Sequence, residues 1–319
     1  MQANMGMAGE FRVVVKRADG STKIDTGYQK NLILNQGLDF FGFGTNVGNV
    51  ESIMNYCVIG SGNSTPTYAQ NKLDNAIAGV SGSGFSSKYD YNASKDGNLY
   101  KTNLVRKYSF SGLNNVNVSE VGLAIAYSNT SNYSLCTRAL IKDSNGNPTT
   151  ITVLNGEKLD IYYKLWKVYD ITDKNGVINI LDGASGSVAY NYILRLAGVG
   201  TDSFFSSNNP GKLPSFQTNL YMGYSELSSI TSYPSGSLAN NTSTAANYNP
   251  GTYKRTVTCS VSTDNANGSI RNVYIDVNAL CRWQIRFGSV ADDSPITKTA
   301  TQTLTLPFEF SWGRYEGAL

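Results

Sequence analysis

Polar and apolar residues alternate most regularly in two stretches of the chain, residues 151–169 and 296–315. Each stretch places four apolar residues at every second position: Leu159, Ile161, Tyr163 and Leu165 in the first, and Leu304, Leu306, Phe308 and Phe310 in the second. A period of two predicts a β-strand with one buried face. Both stretches are therefore predicted to be strands that cover a hydrophobic core.

The two stretches resemble each other beyond this alternation. The separation that aligns them also takes Cys136 to Cys281 and Ile151 to Ile296. The aromatic residues at their ends are one residue further apart: Trp166 and Tyr169 answer Trp312 and Tyr315. A one-residue β-bulge would account for this slip. We predict that one β-module is present twice.

Turn signals and short apolar runs extend this pattern over the whole chain. The turn signals are Asp19-Gly20, Asn145-Gly146, Asn155-Gly156, Asn175-Gly176 and Asn267-Gly268. Frequent turn signals between short apolar runs, with few helical periods, are typical of antiparallel sheets. The predicted fold class is all-β, with two tandem antiparallel β-sandwich modules related by internal duplication and long irregular loops.

The predicted modules span residues 1–172 and 173–319, with the boundary near Asn175-Gly176. The first has an opening hairpin and a loop or arm at 64–99, and the second is a divergent copy. Minor features are also expected: a helical turn capped by Asn35, a short helix around Leu73 to Ile77, and loops at 201–215 and 229–252.

Composition narrows the range of functions. Only 15% of the 319 residues are charged, against about 25% in a typical globular protein. The net charge of +3 gives no support for nucleic-acid binding, and no apolar run is long enough for a membrane span. Histidine is absent, which excludes Ser-His-Asp and Cys-His catalysis. No secretory signal is recognised at the start of the sequence.

Metal, cofactor and catalytic sites are not predicted. The four cysteines are far apart in sequence, so we expect buried, reduced thiols, with pairing inside a module as the alternative. The calcium-like spacing of Asp143, Asn145 and Asn147 lacks the closing glutamate and indicates a turn. Glu120, and Glu157 with Asp160, are carboxylates that a glycosidase could use, but such residues are also ordinary surface groups.

Aromatic residues are the better candidates for a binding role, since the chain has 21 tyrosines. Ring-rich surfaces stack on sugars or contact other subunits. The candidate interface or glycan-stacking residues are Tyr162, Trp166, Tyr169, Trp312 and Tyr315. The alternative is that these rings belong to the core, as duplicated modules would repeat their cores.

Several motifs resemble one known family. They are VVVKRADGSTKIDTGYQKNLILNQGLDFFG at 13–42, CVIGSGNSTPT at 57–67, SEVGLAIA at 119–126, TRALIKDSNGNPTTITVLNGEKLDIYYKL at 137–165 and, more loosely, QTLTLPFEFSWGR at 302–314. This combination resembles tailed-bacteriophage virion proteins of the tail, tail-fibre or minor structural type. The resemblance implies a non-enzymatic particle component present in several copies, and it carries over no active site.

The resulting functional expectation is a multimeric structural protein of a phage virion, in the tail at the baseplate or fibre-attachment region. One alternative is a capsid decoration or head-fibre protein, and another is a receptor-binding protein that recognises a host surface glycan. The expected partners are further copies of the chain and other virion proteins, with no cofactor, nucleic acid or membrane. The expected location is the virion, after assembly in the bacterial cytoplasm.

Overall fold

The computed structural model describes residues 1–46, 52–82, 91–181, 186–200, 211–239, 241–278 and 280–319. Strands dominate these residues, which confirms the all-β prediction. The strands up to residue 170 are β1 (Gln2–Lys16), β2 (Thr22–Asp25), β3 (Gln29–Ile33), β4 (Tyr56–Gly60), β5 (Ala76–Ser81), β6 (Tyr91–Asp96), β7 (Leu99–Phe110), β8 (Val116–Val118), β9 (Glu120–Tyr127), β10 (Tyr133–Leu135), β11 (Thr137–Leu140), β12 (Ile151–Val153) and β13 (Lys158–Asp170).

The later strands follow after a short connection. They are β14 (Lys174–Leu181), β15 (Ser187–Leu196), β16 (Thr218–Gly223), β17 (Ser237–Ala239), β18 (Asn241–Ala245), β19 (Lys254–Val261), β20 (Gly268–Ile270), β21 (Asn272–Val277), β22 (Cys281–Ser289), β23 (Ile296–Lys298) and β24 (Leu304–Arg314). One α-helix, α1 (Asn35–Phe43), lies within the described residues and continues into a 3-10 turn at Gly44–Asn46.

β1 connects the two halves of the chain. One edge pairs antiparallel with β13, from Gly6 opposite Val168 to Lys16 opposite Lys158. The other edge is shared, since it pairs in parallel with β24 near its start and antiparallel with β3 and β2 further along. As a result, a fourteen-stranded sheet includes strands from both halves.

Three further sheets lie within the described residues. A six-stranded sheet runs in the order β14-β15-β22-β21-β16-β17, and two small sheets pair β8 with β12 and β20 with β23. Buried apolar residues from both halves form one contiguous cluster. Because the two halves share a sheet and a core, the separate cores expected of two tandem sandwiches are not found, and the tandem arrangement is not confirmed.

Helix α1 fastens the halves together. Gly37 allows the helix to approach the strands closely, because a Cβ there would lie 2.3 Å from the carbonyl oxygen of Cys136. On its other side, Phe41 packs edge-on against Trp312, with ring centroids 5.5 Å apart. The Trp312 indole N–H also donates to the Leu38 carbonyl at 2.9 Å. The side chain of Trp312 is thereby fixed in the core by a helix from the first half.

The predicted bulge near the aromatic ends is absent. β13 keeps one continuous register with both β1 and β7, and β24 keeps one with β19. The one-residue slip instead changes which way the indoles face. Trp166 is out of phase with buried Leu165 and is partly exposed, whereas Trp312 is in phase with Phe310 and is buried.

Several local predictions need correction. Asn35 does not cap α1; the cap position is Leu34, and the Asn35 amide oxygen accepts a hydrogen bond from Arg314. No helix forms around residues 73–77, where β5 begins instead. Asn175-Gly176 lies inside β14 rather than in a turn, because the strand pairs with β15 across both residues.

The predicted loops are more ordered than expected in the parts that the structure describes. Residues 64–99 include β5 and β6, although residues 83–90 of the predicted arm lie outside the described residues. Residues 229–252 include β17 and β18. Of the predicted 201–215 loop, only residues 211–215 are described, and they contain no strand.

The four cysteines are buried and unpaired, as predicted. Burial raises the pKa of the Cys57, Cys136, Cys259 and Cys281 thiols. The thiolate form, which reacts with disulfides, is therefore disfavoured. Helices of sufficient length and apolarity to cross a bilayer do not occur in the described part of the chain.

Candidate binding face

The outer face of β1, β13 and β7 presents a band of aromatic and cationic side chains. On β13, alternate residues point to opposite faces. Leu159, Ile161, Tyr163 and Leu165 are buried on the inner face, while Tyr162, Lys164 and Trp166 are partly exposed on the outer one. β13 therefore contributes one face to the core and presents the other as a candidate binding surface. We refer to this surface as the β13 outer face.

Tyr162 lies between two cations at the middle of the β13 outer face. In the strand register it stands opposite Arg12 on β1 and Lys107 on β7. The Arg12 guanidinium carbon is 5.6 Å and the Lys107 Nζ 5.7 Å from the centroid of the Tyr162 ring. Both distances fall within the range of cation–π attraction. These contacts hold the ring in place without covering it.

Each of these cations also has a carboxylate partner. Arg12 donates to both oxygens of Asp25, and this contact lowers the pKa of the Asp25 carboxyl to about 2. Lys107 pairs with Asp160 at 2.9 Å, and the hydrogen bond between them raises the pKa of the Lys107 ammonium. Both side chains are therefore charged near neutral pH, and their positions are fixed.

Trp166 lies at one end of the same face. Its indole N–H donates to Glu10 at 2.9 Å. Lys164 Nζ lies 3.8 Å from the centroid of the Tyr28 ring and 5.6 Å from that of Trp166. Tyr28 is 37% exposed. Two rings and an ammonium thus form a second partly open cluster, which could stack on the apolar face of a sugar.

A cavity of about 500 Å³ opens at the other end of the face. Its lining includes four cationic side chains, Lys16, Arg17, Lys107 and Lys158, and one carboxylate, Asp160. Lys16 and Lys158 are directly opposite each other in the register of β1 and β13. Like charges in that position are destabilising. The excess of positive charge favours an anionic ligand such as a carboxylate, sulfate or phosphate group.

The five candidate residues from the sequence do not converge. Tyr162 and Trp166 lie on the β13 outer face, and Tyr315 is partly exposed beside Gly6. Tyr169 and Trp312 are buried, and Tyr169 donates its hydroxyl hydrogen to the Leu280 carbonyl at 2.7 Å. Their rings are core residues in this structure and are closed to a ligand.

Sequence reasoning missed the cations of this face. The signal was available in the stretch KLDIYYKLW, because alternate positions place Lys158, Asp160, Tyr162, Lys164 and Trp166 on one side. Grouping the aromatic residues by proximity in sequence mixed the two faces. The contributions of Arg12, Lys107 and Tyr28 depend on strand pairing and have no local sequence signal.

The carboxylates considered for glycosidase chemistry have structural partners. Glu120 is fully buried, accepts a hydrogen bond from Arg138 Nε at 2.9 Å and accepts another from the Gly62 amide at 2.9 Å. Arg138 also pairs with Asp74 at 2.7 Å. This network fastens the segment after β4 to β9. Glu157 pairs with Lys23 at 2.8 Å, and that hydrogen bond lowers the pKa of its carboxyl.

The calcium-like cluster is a turn. Asp143 Oδ1 accepts hydrogen bonds from the amides of Asn145 and Asn147 at 2.8 and 2.9 Å. In the described parts of the chain, no group of three or more His, Cys, Asp and Glu side chains is placed to hold a metal ion.

No protein-family model matches this chain, and neither a curated protein nor a solved structure matches it significantly. The functional argument therefore depends on the residues themselves.

Proposed function

We propose that this chain is a non-enzymatic structural component of a tailed-phage virion, placed in the tail at the baseplate or fibre-attachment region and assembled as a multimer. One observation carries the proposal: the motifs that resemble phage virion proteins are neighbours in the fold. β1 pairs with β13, β3 with β11, and β4 with β9. The resemblance thus covers one folded unit rather than scattered turns.

The chemistry of these motifs fits a structural role. Glu120, the buried carboxylate of SEVGLAIA, is held by Arg138 and by backbone amides. Asp160, in the motif that ends at Leu165, is held by Lys107 and Ser109. Both groups fasten elements together, which supports a scaffold function for the unit.

We also infer that the two halves descend from one duplicated module. The pairings that support this are β3–β11, β4–β5, β4–β9, β6–β7, β7–β13, β8–β12 and β9–β11 in the first half, and β15–β22, β16–β17, β16–β21, β18–β19, β19–β24, β20–β23 and β21–β22 in the second. Each pairing in the first set corresponds to the pairing at the same place in the second set. In this correspondence β3 matches β15, β4 matches β16 and β13 matches β24. An experimental structure in which β13 and its paired strands fail to superpose on β24 and its paired strands would contradict the duplication.

Localisation in an intact particle tests the virion role. Tailed particles whose genome encodes this chain are purified, their proteins are quantified by mass spectrometry, and an antibody against the chain is located by electron microscopy. We expect label at the tail and a small copy number, in multiples of about three or six. Hundreds of copies over the shell would favour the capsid alternative. Absence from the particle would reject both.

Glycan binding is the second candidate function, and the β13 outer face favours it. Exposed parts of Tyr28, Tyr162 and Trp166 lie on the same face as the cationic cavity at its other end, which suits an extended acidic polysaccharide. The purified protein is tested for binding to immobilised polygalacturonate and to neutral dextran. We expect retention on the acidic polymer that Trp166→Ala and Lys158→Gln each reduce several-fold. Equal retention of all three proteins would reject this function for the face.

A further inference from the structure

β14 is a terminal strand with one unpaired edge. Over its whole length it pairs with β15, and the described residues provide no partner on its other side. Its side chains alternate between partly buried and exposed. On the exposed face, Val177 is 59% and Leu181 is 83% accessible. An edge of this kind offers backbone N–H and C=O groups to another strand.

β14 also lacks the features that normally prevent such pairing. From Asn175 to Leu181 it contains no charged residue and no proline. Lys174, at its start, is already paired with Asp170 at 2.8 Å. Proteins usually protect a free strand edge with charges, prolines or very short strands.

Several other sheet margins in the described part of the chain do carry such protection. β6 includes Lys95 and Asp96, and β17 is only three residues long. The portion of β24 that extends past β1 contains Pro307, which has no N–H to donate. In β5 and β18 no Ala, Val or Ile side chain is exposed. β14 differs from all of these edges.

We propose that β14 is the site of self-association, where it pairs antiparallel with β14 of a second copy of this chain. This inference deepens the proposed multimeric role and rests on it. The six-stranded sheets of the two copies would then join into one continuous sheet around a two-fold axis.

Residues 177–181 of β14 are self-complementary in one register. With Asn179 opposite Asn179 of the second copy, Val177 lies opposite Leu181 and Ile178 lies opposite Ile180. The two exposed aliphatic side chains would then cover each other on one face, and the isoleucines would meet on the other. A cavity of about 350 Å³ borders Ile180 and Val188 on the partly buried face, so it gives space beside the edge to the incoming Ile178, which would lie opposite Ile180.

A pair of opposite charges at the proposed axis tests this register. Asn179→Lys and Asn179→Glu each place two like charges directly opposite each other, which is unfavourable. Asn191→Lys serves as the matched control, since Asn191 is an exposed asparagine on β15, one strand away from the edge. Circular dichroism melting curves establish that all variants are folded. Molar masses are measured by light scattering coupled to size exclusion.

We expect the wild-type chain and Asn191→Lys to be dimeric and each Asn179 variant to be monomeric at the same concentration. An equimolar mixture of the two Asn179 variants should recover the dimer mass, because lysine then faces glutamate. A monomeric wild type would overturn the proposal, and so would a dimer that both single variants retain or a mixture that stays monomeric.

Cross-linking gives a second measurement. Asn179→Cys should form an intermolecular disulfide under mild oxidation, since paired antiparallel residues lie within disulfide distance. Asn191→Cys should not. Particle localisation is measured separately, so a chain that is monomeric in solution but present in several copies in the particle would refute this interface without refuting the proposed function.

Discussion

The strands β13 and β24 carry matching inner faces that diverge two residues beyond Leu165 and Phe310. Leu165 and Phe310 are both buried, and two residues further on the inner face holds Lys167 in β13 and Trp312 in β24. Both side chains approach the same ring of α1. Lys167 Nζ lies 5.4 Å from the Phe41 ring centroid, and the Trp312 ring lies 5.5 Å from it.

The ring of Phe41 on α1 therefore contacts two chemically different side chains, one from each strand. Trp312 fills its site with apolar surface and places its N–H on the Leu38 carbonyl. Lys167 is fully buried, and desolvation lowers the pKa of its ammonium from 10.5 to about 7. The aromatic ring of Phe41 offsets part of that cost through cation–π attraction. Trp312 therefore adds no pH dependence of its own, whereas Lys167 makes the fold more stable when its amine is neutral than when it is charged.

Replacing each tryptophan separately gives the largest expected contrast between the strands. Trp312→Ala leaves a large cavity beside Phe41 and should lower the free energy of unfolding by about 3–5 kcal/mol. Trp166→Ala removes a partly exposed ring and one hydrogen bond, so it should cost about 1 kcal/mol or less. Urea denaturation followed by circular dichroism measures both.

If Trp312→Ala does not fold, Trp312→Phe gives the same comparison on a smaller scale. It retains an aromatic ring and loses the hydrogen bond to Leu38. Equal destabilisation by the Trp166 and Trp312 variants would contradict the assignment of the two faces.

Lys167→Met should remove a pH dependence of stability. Unfolded lysine keeps its proton up to about pH 10.5, whereas folded Lys167 loses it near pH 7, so unfolding takes up a proton between these values. Wild-type stability should therefore rise with pH in this window by up to about 1.4 kcal/mol per unit relative to the variant.

The measurement is chemical denaturation of both proteins at several values between pH 7 and pH 10. Lys164→Met removes an ammonium from the β13 outer face and controls for the change in net charge. Parallel stability curves for the wild type and Lys167→Met would contradict the buried, neutral amine.

Lys158→Gln tests the smallest effect, the repulsion between opposed cations on the outer face of β13. On the outer face of β24 the charged side chain, Glu309, is instead paired with Lys254 at 3.1 Å. Removing one of two opposed ammonium groups should raise the free energy of unfolding by about 0.2–0.5 kcal/mol at low salt. The gain should largely vanish at high salt because screening already weakens the repulsion. A loss of stability at low salt would mean that Lys158 has a favourable partner.

The inner faces of the long strands could be predicted from the sequence. Leu159, Ile161 and Phe308 are buried as their alternation indicated, because a period of two directly encodes which face is apolar. The prediction failed where the pattern was extended to the indoles. Trp166 and Trp312 look equivalent in sequence, but their phase within the strand places them on opposite faces.

Long-range pairing could not be predicted. The contact of β1 with β24 joins residues such as Gln2 and Glu309, and neither neighbourhood contains a signal for the other. Turn composition was also misleading at Asn175-Gly176. Those residues form part of β14 because the strand gains its ladder with β15 only if it continues through them.

The β13 outer face was only partly predictable, because it too depends on long-range strand pairing. Tyr162 and Trp166 could be named from composition, but their cationic neighbours come from strands that are distant in sequence. Lys107 and Arg12 reach Tyr162 only because β7 and β1 flank β13 in a particular register. Such a cluster is a property of the sheet and cannot be assigned from any single strand.

The parallel pairing of Gln2–Met7 with residues 309–314 has a consequence for biosynthesis. A nascent chain emerges from the ribosome at about 5–20 residues per second, so the first strand waits many seconds for this partner. Contacts of such high sequence separation also form slowly in refolding. A translation product that stops before residue 309 leaves the start of the first strand without its neighbour. In incomplete chains this part of the first strand therefore exposes unpaired backbone N–H and C=O groups.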